Sequence, residues 1–134
     1  MKPRLHHINL STKNVTQMKN FYKDILLMEK EETDIPKLEK GKFYSGEVEF
    51  MSDGSTQTHL AEVDNDLSFK TGLAINPLER GHIAFRVENL DKFKDHLKTH
   101  GIYYADWGEK AVSGWKQIFF HDPDGNIIEV HEKL

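Results

Sequence analysis

In the stretch His-His-Ile-Asn-Leu-Ser-Thr, residues 6–12, Ile8 and Leu10 alternate with polar residues. That period of two marks a strand with one apolar face. The period then lengthens to that of a helix: Asn14 is a cap, and Val15, Met18, Phe21, Tyr22 and Ile25 form one stripe that is expected to end near Leu27. Three strands should follow. The first, in the charged residues 28–35, reads as an edge strand because Pro36 interrupts it. The second spans residues 42–51, where Tyr44, Val48 and Phe50 alternate with polar neighbours, and the third spans 56–63 after the Asp53-Gly54 turn and carries His59.

Residues 64–80 mix Asp, Asn, Ser, Lys, Gly and Pro without a steady period and read as a connector. At Gly-His-Ile-Ala-Phe-Arg-Val, residues 81–87, the opening pattern returns. A second helix should be capped by Asn89, bury Leu90, Phe93 and Leu97, and stop at Gly101. Strands over 102–107, 115–121 and 126–132 complete the second set, with a loop at 108–114 and a turn at Asp122-Pro123-Asp124-Gly125. When His82 is laid over His7, Ile83 falls on Ile8, Phe85 on Leu10, Asn89 on Asn14 and Phe93 on Met18. The chain thus reads as one α+β unit of order βαβββ used twice, module one over about 4–63 and module two over about 81–132 of a single domain, 1–134. Such a unit cannot bury its apolar face alone, so the two sheets should meet around a shared concave surface. Ile8, Leu10, Ile83 and Phe85 are expected on the core side, with His7 and His82 on the concave side.

Composition narrows the chemistry. The 134 residues are 37% hydrophobic and 30% charged, as in an ordinary globular domain. With no cysteine, disulfides, thiolate metal sites and cysteine nucleophiles are all excluded, so any metal must be held by nitrogen and oxygen. The net charge of −4 offers no basic stripe for a phosphate backbone, which argues against nucleic acid as a partner. No run of roughly 18 apolar residues suggests a membrane span and the polar start does not resemble a signal peptide, so a cytoplasmic protein is expected.

Eight histidines are many for this length. Four positions compete as metal ligands, one on the first and one on the last strand of each module: His7, His59, His82 and Glu129. Each lies opposite its strand's apolar residues. Imidazoles and a carboxylate on adjacent strands suit a divalent ion such as zinc, nickel, manganese, cobalt or iron(II), with positions left open for water or substrate. His6 falls in the alternation class of Ile8 and reads as structural. His96 and His100 belong to a solvated helix face, and His131 shares the side of Glu129, where it could support that residue.

These residues resemble a family, the vicinal oxygen chelate superfamily of glyoxalases, bleomycin-resistance proteins and dioxygenases. Leu-His-His-Ile-Asn-Leu (5–10) is similar to its opening strand, Phe-Tyr-Lys-Asp-Ile-Leu (21–26) to its helix, residues 81–87 to its second-module strand, and 119–129 to its closing hairpin. The resemblance implies paired βαβββ modules in an open, barrel-like mixed sheet around a concave metal site, often as a homodimer. It implies His7, His82 and Glu129 as ligands and places His59 where glyoxalase I has a glutamate. Leu27 stands where a glycine usually follows the helix. The chemistry implied is stabilisation of an oxyanion or enediolate by a metal. For an isomerisation a carboxylate must also move a proton, and Glu129 is the candidate catalytic residue, with Glu47 and Glu49 as weaker ones. The favoured expectation is therefore a metal-dependent lyase or isomerase of glyoxalase type acting on a small oxygenated molecule or thiol adduct. The alternatives are a thiol transferase for epoxide antibiotics, an iron(II) extradiol dioxygenase, and a metal-free protein binding a drug or metabolite through Tyr103, Trp107, Trp115 and Phe119.

Overall fold

The structure, a computed structural model, describes residues 1–38, 43–121 and 126–134, so the turn expected at 122–125 lies outside the described residues. The element order is β1 (Arg4–Thr12), α1 (Val15–Asp24), β2 (Glu29–Lys30), β3 (Val48–Ser52), β4 (Gln57–Glu62), α2 (Leu67–Thr71), β5 (Gly81–Arg86), α3 (Leu90–Thr99), β6 (Ala105–Gly108), β7 (Trp115–His121) and β8 (Ile127–Lys133). The fold is α+β. Its eight strands form one open sheet in the order β2-β3-β4-β1-β5-β8-β7-β6. Each half places its last strand parallel beside its first, and the halves meet where β1 and β5 run antiparallel.

The register makes the internal repeat visible as geometry. Ile8 pairs with Ile83, so His7 faces Ala84 and Asn9 faces His82 across the seam. Asn9 neighbours His59 on β4, and Ala84 neighbours Glu129 on β8 in the equivalent place. A local twofold through the Ile8–Ile83 pair therefore exchanges His7 with His82 and His59 with Glu129. Gly81 begins β5 with a φ of 126°, where a Cβ would strike the Asn9 carbonyl. Only glycine lets the two central strands approach so closely there.

Both helices start as the pattern predicts, with Asn14 Oδ1 and Asn89 Oδ1 accepting from the backbone N–H of Gln17 and Lys92. Other expectations change. The histidine side of the central strands is the buried one, whereas Ile8 and Ile83 are 39% and 37% exposed on the convex face between the helices. The strand expected over 42–51 is shorter, since Phe43 to Glu47 carry no ladder. The connector is more than a tether: its α2 and following residues put Leu67, Ile75 and Leu78 into a core with Tyr44, Ala105, Trp107 and Phe119. An aperiodic stretch can still be buried when it caps a concave sheet end on, because a plug has no single face to repeat. A second core packs Leu90, Phe93 and Leu97 of α3 on Ile118 and Val130. Among the described residues no helix is long and apolar enough to cross a membrane.

Candidate metal centre

The concave face holds an open-mouthed cleft. Its walls include Tyr44, Val48, Phe50, Leu78, Trp115 and Phe119, and its floor is made by His7, Asn9, His59, His82, Gln117 and Glu129. Of the four aromatics expected to line a binding cleft, Trp115 and Phe119 do so. Trp107 is instead fully buried in the core and Tyr103 is exposed.

Three side chains converge on one point. His7, His82 and Glu129 each offer an atom within 4.8 Å of the other two, and all three are buried. His7 Nε2 lies 3.5 Å and His82 Nε2 2.8 Å from the same oxygen, Glu129 Oε2. The alternation of β1, β5 and β8 aims them: each is the inward residue of its strand, and the seam register brings the strands together. His59 stacks on the His7 ring with centroids 3.7 Å apart, outside the three-atom group, and its Nε2 is engaged with Gln57 Oε1 at 2.7 Å. Glu49 turns away to pair with Lys19 of α1 at 3.6 Å, and neither it nor Glu47 lines the cleft. Glu129 is thus the carboxylate lining it among the described residues.

Burial sets the charges. It lowers the His7 imidazole to about 4, outweighing the attraction of Glu129, and it lowers His59 well below its ordinary value. Burial works the other way on Glu129, but the surrounding rings of His7, His131 and His82 hold its carboxyl well below the usual range. At neutral pH the floor therefore carries the Glu129 carboxylate beside the neutral imidazoles of His7 and His59. The His82 Nδ1–H donates to the Pro77 carbonyl at 2.8 Å, so Nε2 is the ring atom turned towards Glu129 Oε2. At that distance the nitrogen and the carboxylate oxygen need a cation between them, either a proton on the ring or a metal ion. A proton would relieve only one of the two histidine contacts, whereas a metal ion relieves both. The donor set, two nitrogens and one oxygen with no sulfur, fits zinc, nickel, manganese, cobalt or iron(II).

Residues behind the floor support it. Glu129 Oε1 accepts from Gln117 Nε2 at 3.1 Å and lies 2.9 Å from His131 Nδ1, an ion-pair distance without the alignment of a hydrogen bond. His131, fully buried and stacked on Trp115, accepts from Arg86 Nε at 2.9 Å. His6 departs from expectation. A bulge between Leu5 and His7 shifts the alternation, and the His6 ring packs against His7, Trp115 and His131 rather than joining Ile8 outside. Asp34, which pattern reading passed over in a charged and aperiodic stretch, meets His6, Arg86 and Lys133 at 2.9–3.2 Å. No sequence signal marked it, because its partners come from three other elements. Burial raises its carboxyl, but bonds from His6 and Arg86 prevail and hold it below the ordinary range.

The chain is thus an open sheet of paired modules around a buried floor of two histidines and one carboxylate that could hold a metal ion. Residues 4–130 match the family model of the Glyoxalase/Bleomycin resistance protein/Dioxygenase superfamily, and the chain belongs to that superfamily. It is 28% identical over 127 residues to "Glyoxylase I 4" of Arabidopsis thaliana, covering 94% of this chain and 68% of the relative. A hypothetical protein of Bacillus halodurans has a similar fold, with a TM-score of 0.74 at 18% identity over 100% of this chain and 96% of that one. So does methylmalonyl-CoA epimerase from Mycobacterium tuberculosis, with a TM-score of 0.70 at 17% identity over 97% and 87% of the two chains.

Proposed function

We propose that this protein is a divalent-metal-dependent lyase or isomerase of glyoxalase type, acting on a small molecule with two neighbouring oxygens. The observation that carries this reading is the convergence of His7 Nε2, His82 Nε2 and Glu129 Oε2 on one point at the floor of an otherwise largely apolar cleft. These three residues would hold the ion, with the His59 ring stacked on that of His7 beside them. When bound, the ion supplies Lewis acidity that stabilises negative charge developing on the substrate oxygens. The chain's own residues do the rest. Phe50, Trp115, Phe119 and Leu78 exclude water and seat the apolar part of the substrate, which strengthens every charge interaction at the floor. Glu129, as the carboxylate lining the cleft among the described residues, would have to let go of the ion in order to take up and return a proton at Oε2. His131 and Gln117 retain Oε1 while it does so.

Elemental analysis of protein purified without added metal tests this reading, together with zinc and nickel titration after chelation. Near-stoichiometric uptake by the wild type, abolished in His82→Ala, is expected. A wild-type protein that retains and takes up no divalent ion would overturn it.

A further inference from the structure

The local twofold that relates the modules is also broken at two amides on the cleft floor, Asn9 and Gln117. Asn9 pairs with His59 of β4 on one side and His82 of β5 on the other, so it stands in one row between two rings of the floor. Its counterpart under the twofold is Ala84, which pairs with Glu129 as Asn9 pairs with His59. Gln117 lies on β7 two residues before Phe119, the partner of Glu129, and its counterpart Val48 lies on β3 two residues before Phe50, the partner of His59. Each half thus carries one amide where the other carries an apolar side chain. Ala84 and Val48 show that the scaffold accepts a side chain without polar atoms at either position.

The fold does not account for the oxygens of these amides. Both residues line the cleft, and each is only 6% exposed. Asn9 Oδ1 and Gln117 Oε1 are buried without a hydrogen-bond partner among the described residues. Gln117 cannot turn over to satisfy its oxygen, because its Nε2 donates to Glu129 Oε1 at 3.1 Å and a carboxylate only accepts. A buried carbonyl oxygen left without a donor costs stability, and a site built to hydrogen-bond its substrate rejects an analogue that lacks the matching group. The terminal torsion of an amide is broad, so a small rotation brings such an oxygen onto a donor that enters the cleft. Resting on the reading of the cleft as the substrate site, we propose that Asn9 and Gln117 are specificity residues whose amide oxygens receive hydroxyl or N–H groups of the substrate. The substrate class is then a molecule that carries hydrogen-bond donors beside the two oxygens it gives to the ion, rather than one whose remainder is purely apolar.

Glycolohydroxamate and acetohydroxamate test this, since they chelate through the same pair of oxygens and differ by one hydroxyl. Titrated into zinc-loaded wild type, glycolohydroxamate should bind about 10-fold tighter, the effect of one net hydrogen bond. In Asn9→Ala or in Gln117→Met the preference should shrink to within about twofold, and the variant that loses it identifies the residue that receives the hydroxyl. The readout is the ratio of the two affinities, so any change that Gln117→Met makes in the hold on the ion cancels. Urea melts of the ligand-free protein separate this role from a structural one: Asn9→Ala should keep or raise the wild-type midpoint, because the amide oxygen it removes has no partner. A wild type without preference between the probes, or a preference that survives in both variants, would overturn the proposal. An Asn9→Ala protein that melts well below the wild type or does not fold would overturn it for Asn9. Zinc titration of the same samples keeps the two readings apart. A wild type that takes up no zinc removes the ion site, and the same two probes titrated into the metal-free protein then decide whether the amides select the hydroxyl.

Discussion

The two halves carry the same pattern and bury it differently. In module two, α3 closes Leu90, Phe93 and Leu97 against the sheet, whereas in module one α1 buries only Val15 among its residues. Phe21, Ile25 and Leu26 in and just after α1 are each more than half exposed. The helix exits differ as well. Gly101 takes the left-handed turn after α3 with a φ of 66°, and Leu27 takes the corresponding turn after α1 with a φ of 58°. On the concave side the twofold pairs His59 of module one with Glu129 of module two, and only Glu129 joins the three-atom group. Duplication therefore supplies a scaffold in which one half can be specialised for packing and charge while the other keeps its shape with less.

The sharpest way to break that comparison is at the floor of the cleft. Glu129→Ala should abolish divalent-ion uptake measured by titration calorimetry, because it removes the only anionic member of the group. His59→Ala should weaken uptake without abolishing it. Equal losses in the two variants would mean that the halves contribute alike. At the helices, Phe93→Ala should destabilise by about 3–5 kcal/mol in urea melts, as expected for emptying a buried aromatic site. Phe21→Ala, at its aligned helix's exposed face, should stay within about 0.5 kcal/mol of the wild type. A large loss in Phe21→Ala would show that the α1 face is covered in solution. The smallest effect is at the helix exit. Leu27→Gly should raise stability by about 1 kcal/mol in the same melts, since a leucine at positive φ carries a Cβ penalty that glycine avoids. A drop would mean that the Leu27 side chain makes contacts in solution that outweigh its backbone strain.

Much of this was legible beforehand in particular residues. The returning His-Ile pair announced the repeat, Asn14 and Asn89 marked both helix starts, and the alternation of β1, β5 and β8 put His7, His82 and Glu129 on one face. The faces themselves were assigned the wrong way round for burial: Ile8 and Ile83 were expected inside and the histidines on an open concavity. Period two separates two sides of a strand but carries no information on which side a helix or a plug will cover. His6 was misplaced for a related reason, because a single bulge breaks the alternation from which its side was inferred.

What the sequence by itself determined is whatever depends on neighbours along the chain: the period of each segment, the caps, the duplication, and the exclusion of sulfur ligands. Only the tertiary structure decided which of the eight histidines meet, that residues 64–80 pack into the core beside the cleft, and that Asp34 stands behind cleft-floor residues drawn from both halves. Those contacts join residues far apart in the chain, and their strength comes from burial, which no local pattern records.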